Sequence, residues 1–507
     1  MKSETNHILL KNNAPSVDFD LIPVLDYGDF ESFLKSQMSH HENHILIYYA
    51  FENNDKLQYI CAVARDHSHD IAVFSHTSAR HDVILKSLTN DIPQIHMFER
   101  EIMENFGVVF SDHPWNKPVR YAHNRQDKSL IMNNYPFYSI SGEELHEVGV
   151  GPIHAGIIEP GHFRFICNGE KVLHLEIQLG YQHRGVEKMF LQLKKPLQRM
   201  ILAESIAGDT TVGHGLAHVQ LIESLSHANV SPRLQIERMI ALELERIAVH
   251  IGDTAALCTD VAYQFGQVVN EALRTTIINT TQLLCGNRFG KGLIRTEGTN
   301  YPITDGFLKE MNFTLDDSGK RYMDMADRIY SLPSVLMRFD GNGIVTHRQT
   351  RTIGAVGMAA RSCGISRDTR TSHPFQGFKE YSHTPVLRNA GDVLSRGMLR
   401  NIEVRNSLKI IHSLVEMLND NSEKTPKPSI NSPLKPNSFS ISLIEGWRGE
   451  ICHCAITNQE GDLKHYKVKD PSMHNWMALA LAVRNQEISD FPINNKSFNL
   501  SYCGFDL

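Results

Sequence analysis

The stretch that most constrains this chain begins at Ser231-Pro232 and runs on through Ile236, Met239, Ile240, Ile247 and Ile251. Serine suits the cap of a helix and proline its first position. The isoleucines and methionine then recur at the spacing of one helical face. Glu243 falls on that same face, with Arg246 and His250 three and seven residues further on. A carboxylate inside an apolar stripe costs several kcal/mol unless a cation meets it. The chain must therefore pack helices so that Glu243 is buried and paired, by its own helix or by another. With 507 residues, 41% of them hydrophobic, it has material for two or three domains.

The rest of the pattern is mixed. The first 120 residues read as a small α+β domain. His44 to Phe51, Tyr59 to Ala64 and Ile71 to Ser75 are β-rich runs, and the Asn53-Asn54-Asp55 turn predicts a hairpin between the first two. A helical segment is expected at about 94–105. Residues 122–150 are polar and rich in turn formers, as a linker would be, and a hairpin-like region spans Gly151 to about Leu179. The middle, roughly 195–290, is helical by pattern. Residues 417–437, with four prolines, predict an exposed loop, and the segment from Phe439 holds two strand-like runs and a helix at about 473–485. The expected fold class is α+β.

Composition excludes several functions. The formal charge is −6 and no basic, aromatic-interleaved patch occurs, so nucleic acid is not expected as a partner. No eighteen apolar residues run together and the first residues form no secretory leader, so a peripheral, cytoplasmic protein is expected. The eight cysteines are scattered without a CxxC, which argues against a disulfide scaffold.

Six constellations carry titratable groups, and each has an ordinary structural explanation. Phe98-Glu99-Arg100-Glu101, followed by Phe106-Gly107 and His113-Pro114, reads as a charged, solvated helix and loop. Gly151-Pro152-Ile153-His154 and Glu159-Pro160-Gly161-His162 read as a hairpin tip that could line a site. Gly180 to Lys188, with His183, Arg184 and Glu187, reads as a surface helix start. Ala207-Gly208-Asp209-Thr210 leads to His214 and His218, which share a helical face. Two histidines are too few for a metal site, and a polar cavity is the expected setting. Arg367-Asp368-Thr369-Arg370 and His373-Pro374-Phe375 could hold an anion or a buried carboxylate bidentately. Cys452-His453-Cys454 lies on a strand, with the two thiols on one face as packed side chains and His453 on the other.

Taken in order, these blocks resemble a known family. Phe98-Glu99-Arg100-Glu101…Phe106-Gly107…His113-Pro114 resembles the signature of the thirty-kilodalton-type subunit of complex I. Gly151 through Lys188 resembles the opening of the large subunit of energy-converting (group 4) nickel-iron hydrogenases of the formate hydrogenlyase type and, more distantly, of the 49-kDa-type subunit of complex I. Glu243-Leu244-Glu245-Arg246…His250, Arg367 to Phe375 and Arg448-Gly449-Glu450 look like further blocks of that family. The resemblance implies a thirty-kilodalton-like domain over 1–121, a linker over 122–150, and a large-subunit-type domain over 151–507 with a long helical bundle and peripheral β hairpins.

The departures bear on chemistry. In the hydrogenases two CxxC pairs hold a nickel-iron centre. By resemblance the first pair falls here on Ala207 and Thr210. The second, counted forward from Ser489-Asp490-Phe491-Pro492, falls on Ser501 and Gly504. Such a centre needs thiolates, and these four residues supply none, so neither nickel nor hydrogen turnover is expected. The resemblance further implies a peripheral, oxidoreductase-related subunit of a membrane-bound complex, serving electron transfer or its coupling to ion translocation. It would dock on a small iron-sulfur subunit, which carries the cluster, and on antiporter-like membrane subunits. A vacated cavity is expected from His154, Asp209, His214, His218, Arg367, Asp368 and Arg370. Coupling toward the membrane is expected from His183, Arg184, Glu187, Glu243, Arg246 and His250. Two alternatives stand beside this reading: a quinone-reducing subunit of the NADH-quinone oxidoreductase type, in which His154 and His218 would face the quinone, and a non-catalytic assembly or coupling module.

Overall fold

The computed structural model describes residues 6–156, 158–429 and 432–507. Strands Asn43–Asn53, Lys56–Arg65 and Asp70–Ala79 form an antiparallel meander in which Asn53 pairs with Lys56, so Asn54 and Asp55 make the predicted tight turn, with Asn54 at φ 55°. The side-chain alternation of a strand serves two cores here. Tyr48, Ala50, Tyr59, Cys61 and Val63 face the helix Tyr27–Ser39 and the helix His96–Phe106. Tyr49, Phe51, Ile60, Ala62 and Ala64 face Phe439, Ile441, Leu443, Cys452 and Cys454 of a second sheet. That second sheet is Ser438–Gly446, Gly449–Thr457 and Leu463–Lys469, three strands where the sequence pattern suggested two. Its outer edge is Val17–Asp18, which pairs with Ser438 and Phe439.

The C-terminal part is built on four long helices, Pro232–Asp260, Gln264–Cys285, Asp305–Ile329 and Val393–Asp420, packed around one apolar core. Ser231 caps the first as predicted, its hydroxyl accepting from the Leu234 amide at 3.3 Å. The helix Thr211–Ser226 lies between this bundle and the second sheet and is buried along nearly its whole length. Strands His162–Asn168 and Lys171–Gln178 form the expected hairpin. A third strand, Leu145–Val150, pairs with the first of them, so the end of the expected 122–150 linker is part of a sheet. Between Asp420 and Ser438 the described residues form no helix or strand.

One expectation is overturned. The charged run Phe98–Glu101 is buried, not solvated: Glu99 is 0% and Arg100 5% exposed. Glu99 accepts from the Ser87 hydroxyl (2.6 Å), the Leu88 amide (2.8 Å) and the Thr89 hydroxyl (2.7 Å). Arg100 donates to the carbonyls of Lys117 and Pro118. Glu101 pairs with Arg120 at 3.0 Å and with Lys467 of the second sheet. The helix is an internal clamp whose charges are satisfied by distant residues.

Candidate functional site

The turn Gly446 to Gly449 divides two polar clusters. On one side lies a buried ion network. Glu243 is met by Arg246 of its own helix at 3.1 Å, by Arg370 at 3.5 Å and by the Ser407 hydroxyl at 2.5 Å. The sequence demanded a cation from one helix or another, and both supply one. Arg370 also holds Asp368 (2.7 and 3.0 Å) and Glu403 (3.0 Å), and Arg361 pairs with Glu403. His383 reaches Asp368 at 3.2 Å. Asp368, His383 and Glu403 are close enough to share a cation, and the guanidinium groups of Arg370 and Arg361 take that place. They hold the Asp368 and Glu403 carboxyls well below the usual range against the opposing pull of burial. Burial, with the charge of Asp368 next, pushes Glu445 up to about 8.

On the other side lie Ala207, Thr210, Ser501 and Gly504, the four positions on which the resemblance places the hydrogenase cysteines. Ala207, Thr210 and Ser501 are buried. Arg448 links the segments that carry the two pairs: its guanidinium grips Asp209 (2.6 and 2.7 Å), donates to the Thr210 hydroxyl (3.1 Å) and reaches the Asn499 carbonyl. Arg184 ties the same segments together, donating to the carbonyls of Ser205, Ile206 and Cys503. Ser501 uses its hydroxyl to cap the Gly504 amide at 2.9 Å. A Cβ on Gly504 would lie 2.6 Å from Asp470 Oδ2, so no side chain fits there as Asp470 now stands. A methyl, two engaged hydroxyls, a glycine and a guanidinium do not fit a thiolate-bridged nickel centre.

His214 and His218 do not converge on a common point. His214 Nε2 contacts Asp470 Oδ2 at 3.0 Å and its Nδ1 contacts His453 Nε2 at 3.1 Å. His218 Nδ1 contacts the Tyr466 hydroxyl at 2.8 Å, as does His453 Nδ1. Glu245 carries the start of this helix, accepting from the amides of Val212 and Gly213.

The expected seven-residue cavity is therefore divided. Asp209 and His214 stand beside those four positions and His218 lies farther along its helix against Tyr466, whereas Asp368 and Arg370 belong to the ion network with Glu243 and Arg246. Arg367 instead donates to the Ala355 carbonyl and lies 3.6 Å from Asp66. His154 stays at its hairpin tip, bonded to the Gly161 carbonyl. His250 is fully buried beside Trp447, with neither ring nitrogen hydrogen-bonded. His183 bonds the Asp506 carbonyl, and Glu187 accepts from Lys467 and the Val468 amide. Asp470, Tyr466 and Glu403 were not singled out by sequence, and His453 was named only with its neighbouring cysteines. Of these, His453 carried a signal in its position opposite Cys452 and Cys454.

A family model described as the 49 Kd subunit of respiratory-chain NADH dehydrogenase matches residues 260–506, and one for the 30 Kd subunit matches 23–126. Hydrogenase-4 component G of Escherichia coli (strain K12) is 26% identical over 441 residues, 83% of this chain and 75% of that protein. NADH-quinone oxidoreductase subunit 4 of Thermus thermophilus is 26% identical over 378 residues, 68% of this chain and 90% of that protein. The fold is similar to a chain in the structure of the membrane-bound sulfane sulfur reductase, an archaeal respiratory membrane complex, with a TM-score of 0.66 at 19% identity, covering 73% of this chain and 100% of that one. Among the described residues no helix is long and apolar enough to cross a membrane. The chain thus carries, fused in one polypeptide, a 30 Kd-type and a 49 Kd-type domain of respiratory-chain NADH dehydrogenase, and its relatives are subunits of hydrogenases and of NADH-quinone oxidoreductases.

Proposed function

We propose that this chain is the peripheral large subunit of a membrane-bound respiratory complex in which the nickel site has been vacated. It serves electron transfer or its coupling to ion translocation rather than hydrogen chemistry. The observation that carries this reading is the state of the four positions that the resemblance assigns to ligands: Ala207, Thr210, Ser501 and Gly504 offer no thiolate, Arg448 is bonded to Thr210, and Asp470 leaves no room for a side chain at Gly504. The buried ion network around Glu243 and Arg370 supports a coupling role, because titratable groups fixed in a dry interior respond strongly to charge placed near them. Its partners would be a small iron-sulfur subunit, which supplies the electron-carrying cluster, and antiporter-like membrane subunits on the cytoplasmic side. Quinone reduction draws less support, since the rings of His154 and His218 are already bonded within the chain.

The test is metal analysis of the complex purified intact from its native membrane. Iron from the partner subunit and less than about a tenth of a nickel per chain are expected. Nickel in one-to-one ratio would overturn the reading.

A further inference from the structure

Several histidine rings here are tied to backbone. His154, His162, His183 and His347 each bond a main-chain carbonyl, which fixes the ring and ends the hydrogen-bond chain there. His214, His453 and His218 do not. Asp470, His214, His453, Tyr466 and His218 are linked in a row, side chain to side chain, through four contacts of 2.8–3.1 Å. All five are at most 3% exposed. They come from the helix Thr211–Ser226, the strands Gly449–Thr457 and Leu463–Lys469, and the residue following the last strand.

We infer that these five side chains form a proton relay between the vacated ligand positions and the protein surface. The inner end is Asp470, whose Oδ2 occupies the space that a side chain at Gly504 would need. The outer end is His218, which lines a pocket bounded by Arg199, Ser429 and the exposed Pro196. Phe190 stacks on Tyr466 at 4.0 Å and lies 5.2 Å from the His218 ring, which shields the link between them.

One anion orients the whole chain. Burial alone would raise the Asp470 carboxyl, but the His214 hydrogen bond and the charge of Arg448 hold it below its ordinary value. As a carboxylate it only accepts, so His214 carries its proton on Nε2 and accepts at Nδ1. His453 then donates from Nε2 and accepts at Nδ1, Tyr466 donates its hydroxyl proton to His453, and His218 donates from Nδ1 to the Tyr466 oxygen. Burial keeps His218 and His453 neutral, which suits this arrangement. A proton arriving at His218 Nε2 shifts one proton along each link. An N–H bond forms at Nε2 and one breaks at Nδ1. Tyr466 takes that proton and gives its own to His453, which passes its Nε2 proton to His214. His214 passes its Nε2 proton to Asp470 Oδ2. The charge of one proton is displaced and no electron moves. The relay rests on the proposed function only for what lies at its inner end, so nickel analysis and the experiment below fail independently.

The experiment follows the ring N–H protons of His214 and His453 in the full-length protein labelled with 15N-histidine, during transfer to deuterated water. Tyr466→Phe keeps the ring and its stacking and removes the one hydroxyl that joins two histidines. If protons move by relay, both ring protons exchange at least about tenfold more slowly in Tyr466→Phe, with the melting temperature and the backbone amide exchange of Gly449–Thr457 unchanged. If the chain is only structural, breaking it loosens the site, and exchange is unchanged or faster. That result would overturn the relay. Should Tyr466→Phe not fold, His218→Phe removes the outer end beside the same Phe190 ring and is read in the same way.

Discussion

Arg370 meets three carboxylates in the molecule's interior, and replacing it with methionine tests whether the buried network is balanced. The carboxyls of Asp368, Glu243 and Glu403 stand opposite the guanidinium groups of Arg246, Arg361 and Arg370, while Glu445 remains protonated at neutral pH. Arg370→Met preserves most of the side-chain volume and leaves one buried carboxylate without its cation. Removing one partner of a buried pair costs about 3–5 kcal/mol. For a chain of this length unfolding as one unit, the unfolding entropy is about 1 kcal/mol per degree, so the melting temperature should fall by about 3–5 °C. Thermal melting followed by circular dichroism reads this directly. The second arm is Arg370→Met with Asp368→Asn. It restores the charge balance, and the new side-chain amide still offers an oxygen to the backbone N–H at position 370, which the carboxylate of Asp368 accepts from in the parent. That pair should recover about 1–3 kcal/mol relative to the sum of the single changes. A drop of less than about 1 °C for Arg370→Met, or strict additivity of the pair, would refute the idea that the network is a balanced set of charges.

Two further outcomes follow from other residues. Glu445 titrates near 8 when folded against 4.5 in its ordinary state, so it binds a proton that the unfolded chain has lost across that interval, and stability falls as pH rises through it. Glu445→Gln removes that slope; its melting temperature relative to the parent should improve from pH 6 to pH 9, and a constant difference would refute the shift. Gly504→Ala places a methyl 2.6 Å from Asp470 Oδ2 and should cost about 1–3 kcal/mol, read by urea unfolding, with Gly504→Ala/Asp470→Ser recovering part of it. A neutral Gly504→Ala would show that the position still has room for a larger side chain.

Much of the fold could be read from local pattern. The Ser231 cap, the Asn54-Asp55 turn and the apolar period of the long helix are short-range signals, and each produced the element it predicts. The same logic failed where satisfaction comes from far away. Glu99 and Glu101 looked solvated because nothing near them in sequence could offset the cost of burying them, yet Ser87, Thr89, Arg120 and Lys467 all reach them. The site divided for a related reason. Arg367 and Arg370 are three residues apart, but a short helical turn sends one toward Asp66 and the other into the network. His453 stands opposite two cysteines on its strand, but its bond to Tyr466 depends on strand pairing that the sequence does not encode locally.

The pairing of Val17–Asp18 with Ser438–Phe439, and the core that lies behind it, has a consequence for synthesis. The meander of the first sheet is complete once the ribosome has passed Ala79, but its outer face, with Leu46, Ile47, Tyr49 and Phe51, has at that point only Leu10, Phe19 and Ile22 of the N-terminal segment against it, and the strands that complete this core begin at Ser438. At ordinary translation rates that interval is on the order of half a minute. Throughout it the nascent chain carries a finished sheet whose apolar side is only partly covered, the kind of surface that holding chaperones recognise. What completes the shelter of that face is the last sheet of the chain to be made.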